Sequence, residues 1–389
     1  MNQIISIWEE LTRSYGIGGV ALMAALTVLF FIQIYIYLFR YGRIPSFRNG
    51  SMKAADRGVR PLSVITVLGD DYDYLENTLP RLLTQDYERF EVVLVYVGSN
   101  EAFTDTLSGL CLTHANLTVT KIELDPRFPI SNKMAINLGI KAARYDDIVV
   151  TTADAAPRSR RWLSFMAQGF ASGEVVIGYC ATERKPGFIN RCIGCSRLMH
   201  SVRYLSRAAC RKPYRATVHN MGFSKELYFK VRGFNYLGMN IGDDDLFVQR
   251  LLSRAASYSL VMTPSATVTQ KVWGGMGWWY KERTFFGYAF RYYPGAVKRA
   301  VAAELWSRCL FFAAAVAALV LLPVEIKWGA AALLLLRYLL VASVVWRIGR
   351  RLGDRGYLFV YPLYDLFAPL SEALMFVVRN RKPSAGIWR

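Results

Sequence analysis

From Ile17 to Leu38 the chain carries no charged side chain, and a run of that length is what an α-helix needs to cross a hydrocarbon core of about 30 Å. A water-soluble core would not require it, so the segment predicts a membrane helix. A cleaved signal peptide fits less well: the run is too long, Glu9 and Glu10 precede it, and no small-residue cleavage site follows. A second apolar block starts near Leu305, breaks at Pro323-Val324-Glu325-Ile326-Lys327 and resumes from Trp328 to Trp346, the pattern of a helical hairpin with a short loop. The last apolar stretch, Tyr357 to Val378, contains Pro362, Asp365, Pro369 and Glu372. Such groups are costly against lipid unless neighbouring helices shield them, so a kinked or re-entrant segment is expected.

Basic residues gather where the membrane segments end: Arg40, Arg43, Arg48 and Lys53 after the first, Arg347, Arg350, Arg351 and Arg355 after the third. Such residues are retained on the cytoplasmic side of short loops. Both flanks and the domain between them are therefore expected in the cytoplasm, on a multi-pass inner-membrane protein. Arg379, Arg381 and Lys382 belong on the same side, a further reason for the last segment to enter and return. The formal charge of +19 lies beside apolar sequence and accompanies no nucleic-acid motif. The lipid bilayer's anionic headgroups and a diphosphate ligand account for it, and no nucleic-acid partner is expected. Cysteines at 111, 180, 192, 195, 210 and 309 are scattered, and Cys192-x-x-Cys195 has no second pair to complete a zinc site. Ordinary buried thiols are expected.

Between the membrane segments about 250 residues remain, enough for one sizeable core. Pro61 to Leu68 and Phe90 to Val97 are short β-branched runs that read as buried parallel strands. Leu75, Leu79, Leu82 and Leu83 between them have helical spacing. Thr118 to Leu124 predicts a third strand, Lys133 to Ala143 an amphipathic helix, and Asp147 to Thr152 a fourth strand. The alternation implies an α/β, doubly wound sheet. Ligands of such sheets sit at the carboxyl ends of the strands, which directs attention to Gly69-Asp70-Asp71, Gly98-Ser99 and Thr152-Ala153-Asp154.

Several stretches occur in a recognisable order: FEVVLV, DPRF, NKMAINLGIKAA, TTADAAP with Trp162, GYCATERKPG, KPY and GDDDLFV. From about Pro61 to Tyr293 the chain resembles the membrane-bound family 2 glycosyltransferases. The resemblance implies the GT-A fold, a Rossmann-like, mostly parallel α/β sheet, here flanked by transmembrane helices. It also implies a hexosyltransferase-type reaction, in which a sugar leaves a nucleotide-diphosphate donor with inversion at the anomeric carbon. The parts implied are one divalent cation, Mg2+ or Mn2+, and one carboxylate base.

A departing nucleoside diphosphate gathers negative charge, which a hard cation held by oxygen ligands stabilises. Asp154, at the tip of a buried strand, is the candidate metal and donor ligand. The family's Asp-x-Asp has Thr152 in its first place, leaving a single carboxylate. The same aspartate could instead cap a helix containing Trp162 and Leu163. The acceptor hydroxyl must lose its proton to a carboxylate. By resemblance to Glu-Asp-x-Asp-Leu the base corresponds to Asp243, with Asp244 second. Acidic residues also enrich the first turn of ordinary helices.

The resemblance makes Asp71 a reader of the nucleotide. Lys133 and Arg127 become candidate diphosphate contacts, though both residue types also serve as solvated surface cations. The second nucleotide-binding Asp is replaced by Val97-Gly98-Ser99. Lys212-Pro213-Tyr214 and His219-Asn220-Met221-Gly222 resemble a wall of the sugar and acceptor cleft, so His219 and Asn220 are candidates for that pocket, with Asp245 of GDDDLFV as a third. A structural role beside a glycine turn is equally ordinary for His219, which stands where an arginine is commoner. Trp273, Trp278, Trp279 and Tyr280, followed by Lys281-Glu282-Arg283, suggest an amphipathic helix in the headgroup layer. The Gln-x-x-Arg-Trp of processive synthases is absent.

The expected organisation is an anchor over 1–45, a GT-A domain over 46–270, an interfacial helix over 271–300 and membrane helices over 301–389. Two functions fit. One is an inverting transferase acting on a lipid-linked or membrane-proximal acceptor in cell-envelope glycan synthesis. The other is a catalytically impaired subunit that keeps the fold and scaffolds a partner.

Overall fold

The computed structural model describes residues 2–47, 60–124, 130–234 and 243–378. Strands β1 (Leu62–Leu68), β2 (Phe90–Val97), β3 (Leu117–Ile122) and β4 (Asp147–Val150) form where the β-branched runs predict them. They are followed by β5 (Ala155–Pro157), β6 (Val175–Gly178), β7 (Cys180–Thr182), β8 (Met221–Ser224), β9 (Tyr258–Val261) and β10 (Val268–Gln270). The main sheet has the order β3-β2-β1-β4-β8-β6-β9, and β5-β10-β7 make a small second sheet. β1 runs parallel to both β2 and β4, and β8 is antiparallel to both β4 and β6. The sheet is thus mixed but parallel-rich.

The central strands β1, β2 and β4 are largely apolar because both of their faces are covered. Val64, Val92, Leu94 and Val149 enter one core, whereas Ile65, Val93, Ile148 and Val150 enter the other, the period-two alternation of a strand. The helix Asn132–Ala142 packs closely on one face because Gly139 lacks a side chain: a Cβ there would lie 2.7 Å from Ile65 Cγ2. Its first turn is capped by Ser131, whose hydroxyl accepts from Met134 N. The turn after β4 departs from one expectation. Asp154 caps no helix, since Ala155–Pro157 are a strand and the helix carrying Trp162 begins at Trp162 itself.

Among the described residues, three helices are long and apolar enough to cross a membrane: Gly16–Ser46, Gly295–Leu321 and Val324–Leu352. The last two break at Leu322-Pro323, as the sequence suggests, but the first of them starts ten residues before the apolar block, at Gly295 rather than Leu305. Leu26, Phe30, Phe311, Ala315, Ala318 and Ala330 form their common core, where the small alanines let helix backbones approach.

The terminal helix Tyr361–Val378 contains Pro369, and it packs on the helices Phe188–Ala209, Gly275–Phe290 and Gly295–Leu321. Its two acids are shielded, as their cost against lipid requires. Asp365 Oδ2 receives Arg337 Nη1 at 2.5 Å and its Oδ1 lies 3.4 Å from Arg308 Nε. Glu372 receives Arg203 Nη2 at 2.5 Å. Arg203 also pairs with Glu304 at 3.3 Å, and Arg40 and Tyr41 bond the same Glu304. Gln33 closes the network, accepting from Arg337 at 3.1 Å and donating to Ser307 at 2.8 Å.

Removing one partner of a buried ion pair strands the other charge. Asp365→Leu should therefore destabilise the protein by about 3–5 kcal/mol, seen as an earlier thermal transition of the detergent-solubilised protein. An unmoved transition would show that Arg337 and Arg308 do not depend on this carboxylate.

Candidate active site at the carboxyl edge of the sheet

β1 and β4 are adjacent and parallel, with Ile65 opposite Val150, and Met221 of antiparallel β8 lies opposite Val150 on the other side. The residues after β4 and those before β8 therefore meet at one edge. Thr152 Oγ1 donates to Asp154 Oδ1 at 2.5 Å and also lies 2.5 Å from His219 Nδ1. A hydroxyl has one proton and a carboxylate only accepts, so His219 Nδ1 carries the proton it gives to Thr152. His219 is buried and Asp154 is 38% exposed at its side chain. Burial lowers the basicity of His219, and the Asp154 carboxylate 3.7 Å away opposes that effect. The other carboxylate oxygen, Asp154 Oδ2, receives Gln270 Nε2 at 2.6 Å, and Lys271 N donates to the Asp154 carbonyl at 2.7 Å.

Asn220, the neighbour of His219, faces inward. It accepts from Trp162 Nε1 at 3.0 Å and donates to the carbonyls of Tyr179 and Ala266 at 2.8 and 2.9 Å. Gly178 makes this possible, because a Cβ there would come within 2.5 Å of the Asn220 amide. Asn220 ties three segments together behind the edge instead of lining the cleft in front of it.

At the end of β1, Asp71 Oδ1 accepts Tyr74 N at 3.0 Å and Asp70 Oδ1 accepts the Tyr96 hydroxyl at 2.7 Å. Tyr96 is fully buried, so its ring is unavailable for stacking on a ligand. Asp73 pairs with Lys271, joining the β1 loop to the end of β10 across the mouth of the edge, and that hydrogen bond lowers the Asp73 carboxyl. Lys133 is half-buried in the first turn of the helix Asn132–Ala142. Arg127 lies outside the described residues.

Asp243 and Asp244 open the helix Asp243–Arg254, and their side chains lie outside what the structure describes. Asp245 is buried: Arg215 Nε is 2.8 Å from its Oδ1, and the Tyr293 hydroxyl donates to its Oδ2 at 2.7 Å. Its carboxylate is enclosed by these partners. Arg215 also contacts His200 Nε2, lies 4.4 Å over the Phe286 ring, and exerts its charge on His219. A cavity of about 40 Å3 borders His200, Arg215, Phe286 and Tyr293.

A helix, Gly275–Phe290, lies within the stretch 271–300. Met276 and Tyr280 are exposed, but most of the stretch from Glu282 to Ala289 is buried under the helices Tyr361–Val378 and Phe188–Ala209. The exposed surface of this helix is thus confined to its first half, because Arg283 donates to Ser196 at 2.6 Å and Glu282 pairs with Arg197 at 3.3 Å. Arg197 and Gln270 went unnoticed in the sequence, where neither carries a motif.

No protein-family model matches the chain, and no curated protein does. Among solved structures it resembles a mannosyltransferase from Pyrobaculum calidifontis in complex with GDP-Man and Mn2+. That likeness has a TM-score of 0.54 and 20% identity, and covers 90% of this chain and 99% of the other. S. aureus TarS 1–349 with UDP-GlcNAc matches at TM-score 0.41 and 14% identity over 80% of this chain and 92% of the other. The same protein with UDP gives 0.42 and 15% over 82% and 90%. The likeness to the mannosyltransferase structure shows the fold alone, a parallel-rich mixed α/β sheet.

Arginine has no lone pair, so His200 Nε2 accepts from Arg215 and the proton sits on Nδ1. Burial, then Arg215, Arg283, Arg203 and Arg197, push this imidazole well below its ordinary 6.5. The folded state thus binds fewer protons than the unfolded state. His200 should contribute stability that is complete above about pH 6.5 and is lost as pH falls toward the folded value. Thermal transitions measured between about pH 6.5 and 5 should fall less steeply for His200→Gln than for the parent; parallel slopes would refute this.

Proposed function

We propose that the chain is a membrane-bound GT-A glycosyltransferase of family 2. In this reading it moves a sugar, with inversion, from a nucleoside-diphosphate donor to a lipid-linked or membrane-proximal acceptor in cell-envelope glycan synthesis. The observation that carries the reading is the meeting of Thr152, Asp154 and His219 at one strand edge. In the family resembled, position 152 holds a carboxylate and position 219 more often an arginine. Both differ here, and the two replacements touch each other, so a neutral pair stands in for a charged one. Matched replacement supports a working site over a scaffold with decayed motifs.

Asp154 fits one position of a Mg2+ or Mn2+ shell. It is partly exposed, and each of its oxygens keeps a lone pair beyond the hydrogen bond it accepts. No group of three or more His, Cys, Asp or Glu that could hold a metal occurs among the described residues, so the diphosphate and water must supply the remaining ligands. When bound, the ion neutralises charge on the leaving group. Asp71, Lys133 and Arg127 border the donor, and His219 the sugar. Asn220 supports that wall from behind. Asp245 is committed to Arg215 and Tyr293, and the resemblance to Glu-Asp-x-Asp-Leu makes Asp243 the base, with Asp244 second. The basic flanks of the membrane helices support a site facing the cytoplasm at the inner membrane.

The test is release of nucleoside diphosphate from a panel of nucleotide sugars by the full chain in lipid nanodiscs with Mn2+. Asp243→Asn should lower release by about 10^2–10^4, and Asp154→Asn should abolish its metal dependence. No metal-dependent release by the parent would favour the scaffolding subunit. A double-mutant cycle provides a further check. Thr152→Asp and His219→Arg should each impair release, and their combination should recover most of it; additive losses would sever the pairing.

A further inference from the structure

Asp154 is held from behind by a line of polar side chains that leads away from the sheet edge. Gln270 is buried and donates from Nε2 to Asp154 Oδ2 at 2.6 Å. Its Oε1 accepts Arg197 Nη2. Because a guanidinium only donates, Arg197 decides which end of the Gln270 amide faces Asp154. With oxygen toward Arg197, the NH2 group must point at the carboxylate. Arg197 is held in turn by the helix Gly275–Phe290: its Nη1 lies 3.3 Å from Glu282 Oε1, and its guanidinium sits 5.2 Å over the Trp278 ring. The Arg197 and Glu282 side chains are only 14% and 11% exposed, so water competes weakly for these bonds.

The strand that carries Gln270 is itself braced. β10 pairs with β5, placing Gln270 opposite Ala155. Behind β5, Arg158 donates to the Gly353 carbonyl at 2.9 Å, while Thr267 donates to the Leu352 carbonyl at 3.2 Å. The small sheet therefore rests on the end of the last membrane-length helix, and the line from Asp154 ends on the helix that carries the exposed Met276 and Tyr280.

We propose that Gln270 and Arg197 are positioning residues of the donor site. They hold the Asp154 carboxylate in one orientation through a line anchored on Glu282 and Trp278. The inference rests on the reading of Asp154 as the metal and donor ligand. Without Gln270 the carboxylate loses the donor on Oδ2 and is held only from its Oδ1 side among the described residues, so its plane is free to rotate away from the ion. Loss of such an outer partner weakens metal affinity by about 10–100-fold. Arg197→Met leaves the Gln270 amide free to flip and present its oxygen to Asp154. Arg197→Lys keeps donors for Gln270 and Glu282 but loses the planar fork that fixes their directions, so its effect should fall between parent and Met.

The experiment titrates Mn2+ by electron paramagnetic resonance into the full chain in nanodiscs, with GDP or UDP present, and measures donor and acceptor KM separately. Expected are Mn2+ affinities at least about tenfold weaker for Gln270→Leu and Arg197→Met. Arg197→Lys should be intermediate, and donor KM should rise while acceptor KM stays at the parent value. Gln270→Met, closer in shape to glutamine, is read in place of Gln270→Leu if that variant does not fold. Parent-like Mn2+ affinity in the Gln270 variant, beside a parent that binds, overturns this inference alone. A parent without Mn2+-dependent nucleotide binding overturns the donor-site reading and this inference with it.

Discussion

Charge buried among apolar helices has to find its counter-charge inside the protein, and that requirement joins the membrane-length helices of this chain to its α/β sheet. Arg203, on the helix Phe188–Ala209, lies between Glu304 and Glu372 of two other helices. Arg308 and Arg337 converge on Asp365. In a poorly polarisable interior a separated ion costs far more than a paired one. Sliding the long helix by a turn would strand several charges together. The same helix carries Arg197 and His200, so its fixed position sets where those side chains meet the sheet edge and the Arg215–Asp245 pair.

The sheet edge is built from neutral donors around one partly exposed carboxylate. His219 gives a proton to Thr152, Thr152 gives one to Asp154, and Gln270 approaches from the other side. His219 orients the Thr152 hydroxyl, and Arg197 orients the Gln270 amide. Asn220 performs the corresponding service for the backbone, joining Trp162, Tyr179 and Ala266. Preorganised donors of this kind lose little freedom when a charged ligand arrives.

The strands were legible because burial on both faces demands continuous β-branched runs, and their ends at Gly69 and Thr152 already pointed to the ligand-binding edge. Asp154 and His219 stood out by their order along the chain. Asn220 could be noticed in the same way, but its inward direction could not, since it depends on Gly178 leaving space. Asp365 and Glu372 announced that they needed shielding. Their partners Arg337, Arg308 and Arg203 looked no different from other arginines, because a helix periodicity says which residues share a face and not which face will oppose it. The enclosure of Asp245 was hidden for a similar reason: three adjacent acids read alike until Arg215 and Tyr293 are placed.

By itself the sequence determined the uncharged run from Ile17 to Leu38, the apolar hairpin and the parallel-rich α/β sheet, since each follows from hydrophobic patterning within one segment. Only the tertiary structure decided that Thr152 meets His219, that Gln270 reaches Asp154, and that the terminal helix covers most of Glu282 to Ala289. Those contacts join residues far apart in the chain, and each hydrogen bond forms within about 3 Å. Local patterning carries no information at that precision about distant backbone. It is the packing of strands and helices on one another that supplies it.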